Sequence, residues 1–167
     1  MTPRPAPRHG FTFIELVITL ALVGLVSMLA LPLVEVTATR TREAELRDAL
    51  RTIRGAIDSY KTATDTGVLV RAAGESGYPP SLDVLTQPLD LIGQRDPSGS
   101  IASRRIVFLR RLPRDPFSTD PSLPAAATWA TRSYASRADD PQPGPDVFDV
   151  ASRSRLTGLD GTAYASW

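Results

Sequence analysis

The sequence predicts an α+β protein in which one long N-terminal helix, apolar in its first half and amphipathic in its second, packs on a small antiparallel β-sheet domain. Three observations predict it. No charged residue appears between Leu16 and Val34. Apolar residues then recur at Leu46, Leu50, Ile53, Ile57 and Tyr60, the four-and-three spacing that puts them on one helix face. From Lys61 onward glycine and proline become frequent and the apolar runs shorten to strand length.

Composition narrows the function classes. At 167 residues the chain has room for one ordinary domain and an appendage. Its formal charge of +1, with basic residues scattered among acidic ones, leaves no electrostatic footprint for nucleic acid, and none is expected as a partner. The lack of cysteine excludes a disulfide framework, a thiolate nucleophile and a cysteine-ligated metal, while leaving the redox compartment open. The one histidine is His9, so beyond the first ten residues the commonest general base is missing. Paired carboxylates exist at Asp139 with Asp140 and at Asp146 with Asp149, and two acids suffice for glycoside hydrolysis. They fall in proline-rich loops, however, without a Gly-rich phosphate loop or a nucleophile elbow nearby, so a catalytic site is not expected.

Taken in order, residues 1–10 are polar and carry three prolines and two arginines. Residues 11–34 hold the uncharged run, close to the ~20 residues that a helix needs to cross a bilayer, and read as a membrane span. A secretory signal would have a shorter apolar core followed by a small-residue cleavage site, whereas this run continues into a polar helix. Counting arginines does not orient it, since Arg40, Arg42 and Arg47 beyond the span outnumber Arg4 and Arg8 before it. Pro32 lacks the amide that would bond the Met28 carbonyl, which predicts a kink; transmembrane helices also tolerate proline without one. Residues 35–62 are the amphipathic half, with the stripe at Leu46 to Tyr60 packing on the following domain. A helix from about Phe11 to about Thr62 would measure about 75 Å, so its first half is expected to project.

Residues 63–167 read as the globular domain. Tyr78 to Leu85 predicts a turn and a short helix capped by Ser81. Strands are predicted at Arg105–Arg110, Thr128–Tyr134 and Pro145–Val150, forming one antiparallel sheet laid on the long helix. No internal repeat is evident.

The segment His9-Gly10-Phe11-Thr12-Phe13-Ile14-Glu15-Leu16 resembles the processing motif of type IV pilin-like proteins. The resemblance implies a pilin-like fold, cleavage after Gly10 by a prepilin peptidase, N-methylation of Phe11, and a globular domain on the periplasmic side of the inner membrane. It also gives Glu15 a partner. An ionised carboxylate within an apolar span costs roughly 2.5–3.5 kcal/mol at the helix centre and less near an end. Either it snorkels to headgroup level, or, as the resemblance implies, it pairs with the Phe11 amine of a neighbouring subunit.

A second resemblance extends along the chain. Tyr78-Pro79 with Leu82 and Leu85, then Leu112-Pro113-Arg114-Asp115-Pro116-Phe117 and Gly144-Pro145-Asp146-Val147-Phe148, are similar to elements of the major, G-type pseudopilins of type II secretion. This implies a homo-oligomeric helical filament, other minor pseudopilins, an inner-membrane assembly platform and membrane lipid as partners, with protein export as the outcome. Relatives in that family often bind calcium in an aspartate-rich loop. Here Asp139, Asp140, Asp146, Asp149 and Asp160 do not form so dense a loop, and no ligands are assigned. The alternatives are a type IV pilus minor pilin for adhesion, motility or DNA uptake and, more distantly, a membrane-tethered enzyme or binding module.

Overall fold

A computed structural model describes residues 10–92 and 104–167, with the side chains of residues 29–33 excepted. Residues 1–9 of the expected leader and the side chain of Pro32, where the kink was expected, lie outside the described residues. The architecture is α+β: a long N-terminal helix, α1 (Phe13–Asp65), followed by small antiparallel sheets, consistent with a pilin-like fold. The chain divides into two compact units, Met1–Arg40 and Thr41–Trp167.

In the first unit the described apolar side chains of α1, from Phe13 to Met28, are exposed on every side of the helix. Thr19 and Ser27 turn their hydroxyls back onto the carbonyls of Leu16 and Val23, at 2.9 and 2.8 Å, so neither leaves an unmet donor on this apolar surface. Among the described residues no helix is long and apolar enough to cross a membrane.

In the second unit α1 supplies one wall of the core. Leu46, Leu50, Ile53 and Ile57 are buried, together with Ala49 and Ala56 between them, and Tyr60 packs at the margin. The helix ends in a Schellman motif. Gly67 adopts φ +73°, its N–H donates to the Thr64 carbonyl, and the Val68 N–H reaches back to Ala63 at 2.9 Å. Only glycine takes that backbone conformation without steric cost.

The opposite wall comes from irregular chain and from one of two short antiparallel strand pairs. A 3-10 turn at Leu82–Thr86 buries Leu82 and Leu85. Ser81 stands at its N-cap position, but its side chain makes no capping bond, contrary to expectation. Strands β1 (Leu89–Asp90) and β2 (Arg105–Ile106) pair antiparallel, with Leu89 opposite Ile106. Strands β3 (Trp129–Arg132) and β4 (Asp149–Ser152) pair antiparallel with Trp129 opposite Ser152. Trp129, Val150 and Ser152 face inward, and the Trp129 indole N–H donates to the Pro113 carbonyl at 2.9 Å.

The sheet therefore differs from the expected single three-stranded one. The segment expected as a strand at Arg105–Arg110 keeps strand geometry only over its first two residues, because Leu109 turns inward and donates its N–H to Leu85 instead. The strand expected at Pro145–Val150 is displaced to Asp149–Ser152. Pro145 has no N–H for a ladder, Val147 donates to the Pro79 carbonyl, and the Asp146 carboxylate turns back onto Ser133 and Tyr134.

Candidate processing and assembly site

The N-terminal motif is built around the point where α1 begins. Gly10, Phe11 and Thr12 precede the helix in non-helical backbone, and Phe11 is 85% exposed. The first helical bond runs from the Leu16 N–H to the Thr12 carbonyl, at 3.1 Å. Thr12 occupies the N-cap, and Glu15 lies three residues on. The Glu15 N–H donates to Thr12 Oγ1 at 3.3 Å, while the Thr12 N–H donates to Glu15 Oε2 at 3.4 Å. This is a capping box, in which two otherwise orphaned donors of the first turn are satisfied reciprocally.

Two consequences follow for the expected site residues. Gly10 and Phe11 are exposed and lie in non-helical backbone, Phe11 two residues before the helix starts. The Glu15 carboxylate, which has no ion-pair partner among the described residues, is held at the helix N-terminus by the amide of Thr12, the residue next to Phe11. The spacing Thr12-x-x-Glu15 was visible in the sequence as a capping signature, yet the site was reached there only through the resemblance.

Residues 6–31 match the family described as the prokaryotic N-terminal methylation motif. The prepilin-type methylation motif is present in this chain. No curated protein and no solved structure matches the chain. The methylation motif spans Gly10, Phe11 and Glu15 and runs on through the exposed apolar half of α1.

The second unit adds three buried carboxylates that the sequence reading did not single out as structural ties. Glu43 of α1 accepts from the Leu159 N–H at 2.7 Å and from the Tyr164 hydroxyl at 3.0 Å. Burial first, and then this bond to Glu43, push the Tyr164 hydroxyl above the ordinary tyrosine range. Asp115, from the Leu112–Phe117 segment, accepts from the Phe117 N–H and from the Ser152 hydroxyl, at 2.8 and 2.6 Å, and so ties that loop to β4. Asp146 accepts from the Ser133 hydroxyl at 2.6 Å and from the Tyr134 N–H at 2.9 Å. Burial alone would raise its carboxyl, but hydrogen bonds from Ser133, Ser76 and the Tyr134 amide outweigh that and lower it. Each of these acids satisfies buried donors within the fold, a use that requires no ligand.

The other aspartates considered for calcium are dispersed. Asp149 faces Arg54 and Arg132, Asp160 faces Arg47 and the Thr162 hydroxyl, Asp139 faces Arg137, and Asp140 accepts from Gln142. Among the described residues no three of His, Cys, Asp or Glu come together as they would around a metal ion.

Proposed function

We propose that this chain is a structural subunit of a type II secretion pseudopilus, cut after Gly10, N-methylated on Phe11 and assembled through its apolar helix into a periplasmic filament. The observation that carries this reading is the methylation motif over residues 6–31, with Gly10 and Phe11 exposed ahead of a capped helix. That motif indicates a type IV pilin-like protein processed by prepilin peptidase. A helix that exposes apolar side chains all round needs lipid or other helices to cover it. A membrane span before assembly and a filament core afterwards supply both, with the rest of the apolar run up to Val34 completing the span.

In this mechanism no bond chemistry is done by the subunit itself. The inner-membrane platform lifts the processed subunit out of lipid, and the Glu15 carboxylate exchanges its Thr12 N–H for the Phe11 ammonium of the neighbouring copy. Two charges are neutralised, and the axial register of one subunit on the next is set. Filament growth then moves cargo outward. The absence of cysteine and the similarity of the segments at Tyr78–Leu85, Leu112–Phe117 and Gly144–Phe148 to major pseudopilins favour secretion over the alternative, a type IV pilus subunit.

The test is assembly in cells that supply the peptidase and the platform. Wild-type chain forms sedimentable periplasmic filaments, whereas Glu15→Gln, which removes the charge, leaves the processed subunit in the membrane. Filaments at the wild-type level from Glu15→Gln contradict the reading and favour a tethered module.

A further inference from the structure

Within the second unit, the last turns of α1 border a cavity of about 550 Å³ whose lining includes Tyr60, Glu75, Tyr78, Tyr134 and Asp146. Two of these rings form a trio with Phe148. Tyr78 stacks on Tyr134 at 5.4 Å, and Phe148 stands tilted or edge-on to them at 5.1 and 5.7 Å. An aromatic face is electron-rich and attracts an ammonium or guanidinium group. Two of the three rings already hold one: Lys61 Nζ lies 5.3 Å from the centre of Tyr78, and the Arg132 guanidinium 4.7 Å from the centre of Phe148. Tyr134 is 61% exposed, and among the described residues no cation lies over it.

The charge of the cavity points the same way. Its lining carries two carboxylates and, among the described residues, no lysine or arginine. Asp146 is kept ionised by its hydrogen bonds from Ser133, Ser76 and the Tyr134 amide. Glu75 is exposed and accepts only the Ala72 N–H, at 3.0 Å; its charge reaches Tyr60, whose hydroxyl is raised by burial first and then by Glu75. Lys61, over Tyr78, is itself paired with Asp65 at 2.5 Å. An open ring beside uncompensated carboxylates suits a guanidinium, which is flat enough to stack and donates to carboxylate oxygens. Lys61 is the chain's one lysine, so arginine is the cation that a second copy presents. Arg110 and Arg111 are consecutive, exposed and without an ion-pair partner among the described residues. Arg111 borders a groove with Glu45, Asp48 and Thr52 of α1, where it pairs with neither acid. The cavity meets α1 at Tyr60 and Thr64, about 20 Å further along the helix at 1.5 Å per residue. Doublet and cavity are therefore separate patches of one unit. A contact between them joins unlike surfaces of two copies and repeats head to tail into an open helical array.

We infer that this cavity takes an arginine of the Arg110–Arg111 doublet of a second copy, stacked on Tyr134 and facing Glu75 and Asp146. The inference rests on the filament reading above and names one contact between globular units within it. Tyrosine and arginine are the residue types that most often carry the energy of such contacts.

The chain has no cysteine, so disulfide crosslinking can be directed to chosen positions of the full-length protein. Val70, which lines the cavity and is 75% exposed, takes one label site and Arg111 the other, leaving Tyr134, Glu75 and Arg110 intact. Copies with Val70→Cys and copies with Arg111→Cys are expressed together with the peptidase and the platform, and the sedimented filaments are oxidised. The inference expects a disulfide-linked dimer of one copy of each kind, lost when Tyr134→Ala is added to the Val70→Cys copy. It also expects fewer filaments from Glu75→Arg, fewer from Arg110→Glu with Arg111→Glu, and recovery when all three changes are combined. Filaments at the wild-type level without the mixed dimer overturn the contact and leave the filament reading standing. A dimer from Val70→Cys copies alone means that like patches meet, which overturns the head-to-tail pairing. Reversals that fail to recover in combination assign the two patches to different partners and overturn it as well. Failure of wild-type chain to form filaments overturns the filament reading, and the contact with it.

Discussion

Glu15 has one carboxylate and two claimants: the Thr12 N–H within the chain, and the Phe11 amine of a neighbouring copy in the proposed filament. Glutamine at this position still closes a capping box, whereas alanine does not. Hydrogen exchange at residues 12–16 should therefore be unchanged in Glu15→Gln and faster in Glu15→Ala or Thr12→Ala. The Thr12 change is expected to cost about 0.5–2 kcal/mol of local helix stability; equal exchange in all four chains would show that the box does not hold the helix start. Asp146 makes a separate prediction. Its carboxyl is lower in the fold than in the unfolded chain, so its stabilisation is complete above the unfolded value near the ordinary Asp range and is lost as pH falls through the folded value. Asp146→Ala should lose about 1–3 kcal/mol at neutral pH, with the gap from wild type narrowing in denaturant titrations below about pH 4. A gap that stays constant with pH would assign the loss to packing instead. The role of Asp146 was not legible from the sequence, where it stood as one of several turn aspartates. Its partners Ser133 and Tyr134 are brought to it only by the β3–β4 hairpin.

At the scale of elements, the long helix was legible and the sheets only partly so. The stripe Leu46, Leu50, Ile53 and Ile57 announces its own burial because a 3.6-residue period repeats over several turns, and the structure buries all four. Strands of two and four residues give no comparable repeat, and their register depends on contacts distant in sequence, such as Ile92 N–H to the Val68 carbonyl and Val147 N–H to the Pro79 carbonyl. Prolines at 113, 116, 121 and 124 also remove ladder donors from the stretch between β2 and β3. Ile53→Ala, at the fully buried centre of the stripe, should destabilise the second unit by about 2–5 kcal/mol. Gly67→Ala should cost about 1–2 kcal/mol through the left-handed C-cap alone. Thermal or denaturant unfolding measures both, and a neutral Ile53→Ala would mean that α1 does not supply the core.

For the whole molecule, the two units divide the labour that the proposed filament subunit requires. The first carries the methylation motif and an apolar surface uncovered in the single chain. The second is a small core that α1 itself completes, with buried acids tying its loops together. What the subunit does rests on whether its N-terminus is processed, and intact mass measures that directly on chain expressed with and without an active prepilin peptidase. Loss of Met1 to Gly10 together with the gain of one methyl group, located on Phe11 by fragmentation, is the expected result. A mass identical in both cultures would contradict it and leave a protein that carries the methylation motif without entering the pathway the motif serves.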